Sequence, residues 1–407
     1  MLHRSVRPMN CPTSNQSELE CGPNCRPEHL RQTAGTATPD MGHPLLYRAN
    51  LRPIGECHLG SCSDIENARL GPKSCSFVSR VMAMVTDHTD WLSRLLEMIP
   101  VVGKLDYRCF LAAPWRIDYE RSPQGEIPYH VVLGGSILLE EPGGRPSQRL
   151  VAGDIVLLGD GAPHTLHDGS GACALPRRER TTLNVKISEN DGTGERLDML
   201  CGRFVLSPAH ERMLLDYFPG RIVVRAGENS AATAQPGAAD QIARLVRLMR
   251  FESASENIGG LAVLNALSTA LFTLILRLAS DATEIPTGLL AAAGNPRLSP
   301  ALTAMFNEPA RAWTLPELAQ LCHMSRATFI RHFHEKLGRS ANDLLADIRM
   351  VVACNALKTA DASTAAVAAL AGYQSEAAFQ RSFKHRMGIT PAQWRRQAQT
   401  NGFNVLT

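Results

Sequence analysis

The sequence predicts a multidomain β + α protein, in which a small β-barrel is followed by an all-α domain with two helix-turn-helix subdomains. Short apolar runs separated by glycine and proline fill the middle of the 407-residue chain, and such spacing is typical of a small barrel or sandwich. Roughly the last hundred residues instead carry apolar side chains three to four positions apart, as amphipathic helices do. Within them, one helix-turn-helix pattern is repeated.

The composition is that of an ordinary folded protein, with 44% hydrophobic and 20% charged residues, and the length suffices for two or three domains. Arg4 and Arg7 are not followed by an apolar run, so we expect no secretory signal and a cytoplasmic location. Residues 258–276 carry no charge and are long enough to cross a bilayer, but polar side chains at helical spacing predict an amphipathic packing helix instead. These side chains belong to Asn265, Ser268, Thr269 and Thr273.

Residues 1–83 are expected to form a disordered extension that contains cysteines. Six of the eleven cysteines precede residue 80, among prolines, glycines and polar residues without apolar periodicity. A zinc module is one alternative, because the segment contains the spacings Cys21-x-x-x-Cys25 and Cys57-His58-x-x-x-Cys62. A natural start of the chain near Met82 or Met84 is another.

Helix and strand signals divide the middle of the chain into a barrel and its flanking helices. A helix should begin at Asp90 and end before Pro100, and six strand-like runs follow within a domain at 84–226. Residues 238–280 should form two helices that pack on the barrel or dimerise, and the proline- and glycine-rich residues 281–296 should be a linker. The strand-like runs are 105–112, 115–120, 129–140, 148–158, 181–187 and 199–206.

The first helix-turn-helix pattern spans residues 313–333. Thr314 and Glu317 have the spacing of a capping box at the start of its first helix. Ser325 can cap the second helix, whose Phe329 and Phe333 lie four residues apart and should face inward. The outward positions of this second helix are Arg326, Ala327, Ile330 and Arg331.

The second copy starts at Ser363, and Gly372 permits a left-handed turn between its two helices. Ser375 should cap the second helix of this copy, with Phe379 and Phe383 inward. Both copies contain Ser-x-x-x-Phe-x-Arg-x-Phe, and this repetition is far more specific than one helix-turn-helix pattern. The outward positions here are Glu376, Ala377, Gln380 and Arg381.

Positive charge is concentrated in the same part of the chain. Residues 294–400 contain thirteen basic and seven acidic side chains, a net charge of about +6, whereas the whole chain carries +3. Such a concentration is expected of a surface that contacts phosphates, so we predict a double-stranded DNA partner. The alternative is a solvated helix face with no ligand.

Residues 296–396 resemble the DNA-binding domain of AraC/XylS transcription regulators, most closely in Gly372-Tyr373-Gln374-Ser375-Glu376 and Gly388-Ile389-Thr390-Pro391. The resemblance implies a DNA-binding domain at 297–398, in which a helix at about 342–358 joins two subdomains. It also implies that the eight outward residues named above face base edges in successive major grooves. Ala327 and Ile330 could contact only thymine methyl groups. A regulator of this family is further expected to contact RNA polymerase and to form a homodimer.

The barrel carries a second resemblance. Residues 130–136 and 153–164 resemble the paired motifs of cupin barrels, and the similarity covers about 90–226. A metal-binding cupin would place two histidines and a glutamate on the first motif, but only His130 is present and Pro128 stands near the glutamate position. Strand alternation directs His130 inward, with His164 and Cys201 near it. These three residues are the candidate effector or metal site, with a thiolate favoured by the imidazoles; hydrogen-bonded core residues are the alternative.

The sequence therefore predicts a sequence-specific DNA-binding transcription regulator whose cupin-like domain senses a small molecule, a metal or an oxidant. We expect no enzymatic activity, because the metal triad is incomplete and no nucleophile, phosphate-loop or paired-carboxylate pattern is recognisable. A cupin metalloenzyme with a DNA-binding appendage is the competing class. A third possibility is a constitutive DNA binder whose barrel serves only for dimerisation.

Overall fold

The structure, a computed structural model, describes residues 89–143, 146–225, 237–281, 287–358 and 362–400. All of these belong to one structural unit, Val85–Thr407. The predicted extension at 1–83 and its candidate zinc ligands lie outside the described residues.

The first described element is the predicted helix. Helix α1 spans Trp91–Met98, and the Asp90 carboxylate accepts hydrogen bonds from the backbone N–H groups of Leu92 and Ser93 at 3.0 and 2.9 Å. The helix ends before Pro100, as the sequence predicted. Its buried face contributes Trp91, Leu92, Leu95 and Met98 to the core.

Eleven strands form two sheets in the described part of the chain. The seven-stranded sheet has the order β11-β6-β3-β10-β1-β9-β8, and the four-stranded sheet has the order β2-β7-β4-β5. Neighbours are antiparallel except β1 and β9. The strands are β1 Val101–Ala112, β2 Arg116–Tyr119, β3 Glu126–Gly134, β4 Ser136–Glu140, β5 Gln148–Val151, β6 Asp154–Leu158, β7 His164–His167, β8 Arg178–Thr181, β9 Lys186–Glu189, β10 Arg196–Leu206 and β11 Arg221–Arg225.

Five of the six predicted strand-like runs are found, and two of these five are two strands each. Residues 129–140 divide at Gly135, and residues 148–158 divide at the Gly153 turn. The prediction for 181–187 was wrong, because residues 182–185 form the turn that joins β8 and β9. Strands β7 and β11 were not predicted, because each is short and gains its hydrogen bonds from strands distant in sequence. Helix α2, Pro208–Tyr217, was also missed.

Side-chain alternation along the strands separates two apolar cores. On β10, Met199 and Cys201 point between the sheets, whereas Leu200 and Phe204 belong to a larger core outside the seven-stranded sheet. On β3, His130 and Val132 point between the sheets, as the alternation predicted. The helices cover the outer core.

Helices α3 (Ala238–Glu252) and α4 (Gly260–Asp281) cover this face of the barrel. Helix α4 is long and apolar enough to span a membrane by length and composition, as core helices of globular proteins also are. Its polar side chains bind the barrel: Thr269 Oγ1 accepts from the Gly103 N–H at 2.8 Å, and Asn265 Oδ1 accepts from the Leu105 N–H at 3.2 Å. The predicted packing helix is therefore confirmed. The polar stripe of this helix lies on its packing face and not on the opposite face, because these polar groups satisfy the unpaired edge of β1.

The remaining helices form the all-α domain, and the predicted central helix is present as α9. Residues 281–296 were expected to be a linker but include helix α5, whose Leu289 and Leu290 are fully buried. Residues 289–293 are therefore part of the core. The helices are α5 Leu289–Ala293, α6 Ser299–Asn307, α7 Leu315–Leu321, α8 Arg326–Leu337, α9 Ala341–Leu357, α10 Thr364–Leu370, α11 Glu376–Met387 and α12 Pro391–Thr400.

The two helix-turn-helix subdomains pack differently against the rest of the protein. The first, α7 and α8, belongs to the same continuous apolar core as the barrel's outer face. The second, α10 and α11, has a separate core. Helix α9 joins them, because Leu344 and Ile348 enter the first core while Ala353 and Leu357 enter the second.

Candidate functional sites

Two thiols, two imidazoles and a phenol form a buried cluster between the sheets. The Cys201 sulfur lies 3.2 Å from His130 Nδ1 and 3.9 Å from the Cys109 sulfur. The Tyr119 hydroxyl lies 3.6 Å from the same sulfur, and His130 Nε2 lies 2.9 Å from His164 Nε2. Both cysteines and both histidines are at most 4% exposed. The structure thus brings together the three residues that the sequence singled out.

Strand pairing positions each member of this thiol–imidazole cluster (Cys109, Tyr119, His130, His164 and Cys201). Cys201 on β10 lies opposite His130 on β3, and Tyr119 on β2 lies opposite His164 on β7. The Tyr119 ring stacks on the His164 ring with centroids 4.6 Å apart. Cys109 and Tyr119 were missed in the sequence because their proximity to Cys201 depends on non-local pairing.

The hydrogen bonds fix which nitrogen of each neutral imidazole carries the proton. His164 Nδ1 lies 3.1 Å from the Ala162 carbonyl, which can only accept, so Nδ1 donates and Nε2 is the acceptor. His130 therefore donates from Nε2 to His164, which leaves His130 Nδ1 to accept the thiol proton of Cys201. The cluster is a directed chain from Cys201 through two imidazoles to Ala162.

The electrostatics favour this neutral chain. The hydrogen bond with Cys109 and burial hold the pKa of Cys201 well above the ordinary value of a thiol. Burial, reinforced by His164, holds the pKa of His130 well below the usual range, and burial also lowers the pKa of His164. The expectation of a favoured thiolate was therefore wrong, because the neighbouring imidazoles are neutral and supply no positive charge.

A metal ion needs several donor atoms that converge on one point. Here the lone pairs are used within the chain, since both nitrogens of His130 are hydrogen-bonded to other members of the cluster. Within the described ranges, no group of three or more His, Cys, Asp or Glu side chains is arranged to hold a metal ion.

The second candidate site is the outer face of α8 and α11. Both helices contain twelve residues, are capped by a serine side chain, and end at a glycine with positive φ. Ser325 accepts from the Thr328 N–H at 3.2 Å, and Ser375 accepts from the Ala378 N–H at 3.2 Å. The inward phenylalanines are fully or nearly fully buried.

The structure places all eight predicted base-facing residues on the exposed sides of these helices. Arg331 forms a long ion pair with Glu335 at 3.8 Å, and Gln380 Nε2 donates to Glu376 Oε1 at 2.8 Å. In the described part of the chain, the guanidinium groups of Arg326 and Arg381 have no hydrogen bond or ion pair with protein. They are available to a ligand of opposite charge.

The turns inside the two subdomains have different residues at the position of positive φ. The second has Gly372 at φ 76°, where a left-handed conformation is required. In the first, His323 takes the corresponding role with φ 52°, the only non-glycine residue with positive φ among those described. The overall turn is preserved, since the N–H groups of Met324 and Tyr373 donate to Ala319 and Ala368, both at 2.9 Å.

Polar contacts link helix α2, which follows strand β10, to the helix-turn-helix domain. The Tyr217 hydroxyl donates to Asp347 on α9 at 2.6 Å, and Arg386 of α11 contacts the other oxygen of that carboxylate at 2.5 Å. His210 lies 2.9 Å from the Asn355 side-chain oxygen, and Asn355 donates to the Met98 carbonyl at 2.7 Å. Residues of the barrel side thus touch the helix that joins the two subdomains.

Comparisons with known proteins agree with this architecture. Residues 90–281 match a family model described as Cupin, and residues 318–397 match one described as a helix-turn-helix domain. An uncharacterized HTH-type transcriptional regulator from Haemophilus influenzae is 29% identical over 308 residues, which cover 75% of this chain and 98% of that protein. The HTH-type transcriptional regulator MtrA from Neisseria gonorrhoeae is 28% identical over 313 residues, covering 76% of this chain and 98% of that protein.

Among solved structures, the DNA-binding domain of AdpA in complex with a target DNA is 27% identical. It covers 26% of this chain and 95% of that chain, with a TM-score of 0.25. The order of a cupin domain and two helix-turn-helix subdomains, and relatives covered almost throughout their length, identify the family. The chain belongs to the AraC/XylS family of DNA-binding transcription regulators and carries a cupin-like domain ahead of its double helix-turn-helix domain.

Proposed function

We propose that this protein binds an operator through α8 and α11 and that oxidation of the thiol–imidazole cluster is the signal that changes this binding. The observation that carries the proposal is the pair of sulfur atoms 3.9 Å apart, one of which is hydrogen-bonded to an imidazole acceptor. A disulfide requires two sulfurs that can approach to about 2.05 Å, and these are the nearest thiols described in the barrel.

The signal would be a two-electron oxidant such as a peroxide. His130 Nδ1 takes the thiol proton while the Cys201 sulfur attacks one peroxide oxygen, and the O–O bond breaks to give a sulfenic acid and hydroxide. The proton held by the imidazole chain then converts this hydroxide to water, so that His130 is neutral again. The Cys109 sulfur then displaces hydroxide from the sulfenic acid, its own proton completes a second water, and the S–S bond forms. Two thiols are oxidised and one peroxide is reduced to water.

The imidazole chain supports the first step. Because Cys201 has a raised pKa, attack needs a base that removes its proton, and His130 Nδ1 lies within hydrogen-bond distance. His130 can pass its Nε2 proton to His164. Burial lowers the pKa of His164, but the Ala162 carbonyl, Glu141 and Asp160 favour its charged form and offset part of this effect. The pKa of His130 is lowered more strongly, so the proton is less unfavourable on His164 than on His130.

Strand geometry supports coupling to the rest of the protein. Cys109 lies opposite Met199, and Cys201 lies opposite Tyr107, so the two cysteines are diagonal neighbours with Cα atoms about 7–8 Å apart. A disulfide usually needs about 4.4–6.8 Å, so oxidation should displace β1 along its hydrogen-bonded neighbour β10. The register of β1 already shifts between Leu105 and Tyr107, directly beside its contacts with α4. Helix α4 shares its core with α6 and α8.

The sensor role is favoured over a cupin metalloenzyme because the histidines form a chain and do not converge, and because the relatives are named transcriptional regulators. A homodimer, contact with RNA polymerase and action in the cytoplasm are further parts of the proposal, supported by the family architecture.

The test uses the full chain and an operator selected from a random double-stranded DNA library. Reduced protein is treated with hydrogen peroxide, its thiols are mapped by alkylation and mass spectrometry, and operator affinity is measured by fluorescence anisotropy. We expect linked Cys109 and Cys201 peptides and an affinity change of about fivefold or more, the low end of allosteric coupling.

The variants Cys201→Ser and Cys109→Ser should lose the peroxide response and keep the affinity of reduced wild type. Cys354→Ser is the matched control, because Cys354 is also buried and free but lies in the core of the second subdomain. An unchanged response in Cys201→Ser, or peroxide-insensitive binding in the wild type, would overturn the oxidant signal.

A further inference from the structure

The two DNA-facing helices present the same scaffold with different side chains. Every residue of α8 has its counterpart in α11 fifty positions later, from the capping serines to the terminal glycines. Two of the four outward positions are identical, with alanine at 327 and 377 and arginine at 331 and 381. The other two differ, and in chemical character: Arg326 corresponds to Glu376, and Ile330 corresponds to Gln380.

Equivalent positions on equivalent helices should meet equivalent positions in DNA. The N-terminal residues of a recognition helix contact base edges, and Arg326 and Glu376 are the first residues of α8 and α11. An arginine donates two hydrogen bonds to O6 and N7 of guanine, whereas a carboxylate accepts from the amino group of cytosine. The two helices therefore offer opposite hydrogen-bonding roles at one structural position.

The Glu376 side chain is also oriented. Gln380 lies one turn further along the exposed face, and its amide donates to Glu376 Oε1 at 2.8 Å. The second carboxylate oxygen remains an acceptor, and the N-terminal end of α11 stabilises its negative charge. A carboxylate near DNA phosphates is unfavourable unless a base donor compensates for it, so a cytosine amino group fits the site. Ile330, at the same place on α8, offers only apolar contact with a thymine methyl group.

Resting on the operator binding proposed above, we infer that positions 326/376 and 330/380 make the two half-sites different. The half-site read by α8 has guanine where Arg326 docks, and the half-site read by α11 has cytosine at the equivalent position of the same strand. Arg331 and Arg381 are the same residue type at equivalent positions, so they do not distinguish the two half-sites. The operator is therefore an imperfect direct repeat whose main mismatch is this guanine-to-cytosine change.

The test compares base preferences of full-length wild type and variants by selection from a random DNA library and sequencing. Glu376→Arg should change the preferred base from cytosine to guanine in the α11 half-site alone, and Arg326→Glu should make the reverse change in the α8 half-site. For each swap, the ratio of affinities for the two operators should change about 5- to 150-fold, the range that one specific base contact provides. Gln380→Leu should weaken the cytosine preference.

Glu256→Arg is the charge-matched control, since Glu256 is exposed in the segment between α3 and α4, outside the helix-turn-helix subdomains. This variant should raise affinity for all sequences and leave the base preference unchanged. If wild type selects an operator but Glu376→Arg retains its cytosine preference, the inference is wrong while operator binding stands. If wild type enriches no sequence, both proposals fail.

Discussion

At the scale of single residues, buried histidines make stability depend on pH. His210 is fully buried where α2 meets α9, and burial, together with Lys358, lowers its pKa to about 4 from an unfolded value of 6.5. The native protein therefore keeps this imidazole neutral in a pH range where the unfolded chain binds a proton. The contribution of neutral His210 to the free energy of unfolding is fully present above pH 6.5 and is lost as pH falls from 6.5 towards 4.

We predict that His210→Gln reduces the acid sensitivity of folding. Between pH 7.5 and pH 5.0, wild type should lose about 2 kcal/mol of unfolding free energy through this residue, and the variant should lose correspondingly less. The measurement is denaturant unfolding at both pH values. His334→Gln, an exposed histidine on α8, is the control and should resemble wild type. Equal pH dependence in all three proteins would contradict the assignment.

Local sequence patterns predict those residues whose environment is set within one helix or strand. The capping serines, the capping box of Thr314 and Glu317 and the inward phenylalanines follow from spacing within one helix, and all are present. His130 and His164 were directed inward by strand alternation. Cys109 and Tyr119 were missed, and the ionisation of Cys201 was wrong, because each depends on which strands pair and on how completely the site is buried.

At the scale of elements, helix α4 and strand β1 approach each other closely at Gly103. A Cβ atom on Gly103 would lie 2.3 Å from the Thr269 backbone nitrogen, so only glycine allows this approach. The N–H of Gly103 donates to Thr269 Oγ1 because the strand has no neighbour on that side there. The sequence pattern showed the polar stripe on α4. It did not show that these side chains accept hydrogen bonds from the unpaired edge of β1, because that contact is non-local.

We predict that Thr269→Val destabilises the protein by about 1–3 kcal/mol, the cost of leaving a buried N–H group without a partner. Thr273→Val is the matched control, since Thr273 lies on the same helix, is half-buried, and makes no side-chain hydrogen bond within the described ranges. Chemical denaturation checks both variants. If the proposed coupling runs through α4, Thr269→Val should also weaken the peroxide response. Equal stability of the two variants would contradict the role of this hydrogen bond.

At the scale of the whole molecule, the first helix-turn-helix subdomain and the barrel share one apolar core, whereas the second subdomain has its own. A core that is continuous unfolds cooperatively, and a separate one can open on its own. The polar contacts of Asp347 with Tyr217 and Arg386 hold the second subdomain against α2. A signal could thus alter the relative orientation of α8 and α11, which must both reach the operator.

We predict that Tyr217→Phe loosens the second subdomain selectively. Removing the hydroxyl deprives Asp347 of a donor at 2.6 Å, and a hydrogen bond to a charged group contributes about 1.5–3 kcal/mol. Hydrogen exchange should show a lower opening free energy in α10–α12, with the barrel strands and α8 unchanged. Tyr129→Phe removes a similar bond, to Ser268 at 2.8 Å inside the barrel's outer core, and should affect β3 and α4 instead. If both variants showed the same exchange pattern, the second subdomain would not open separately from the barrel. In that case the barrel and the second subdomain would unfold together, and removal of the hydroxyl group of Tyr217 or of Tyr129 would lower the opening free energy of both.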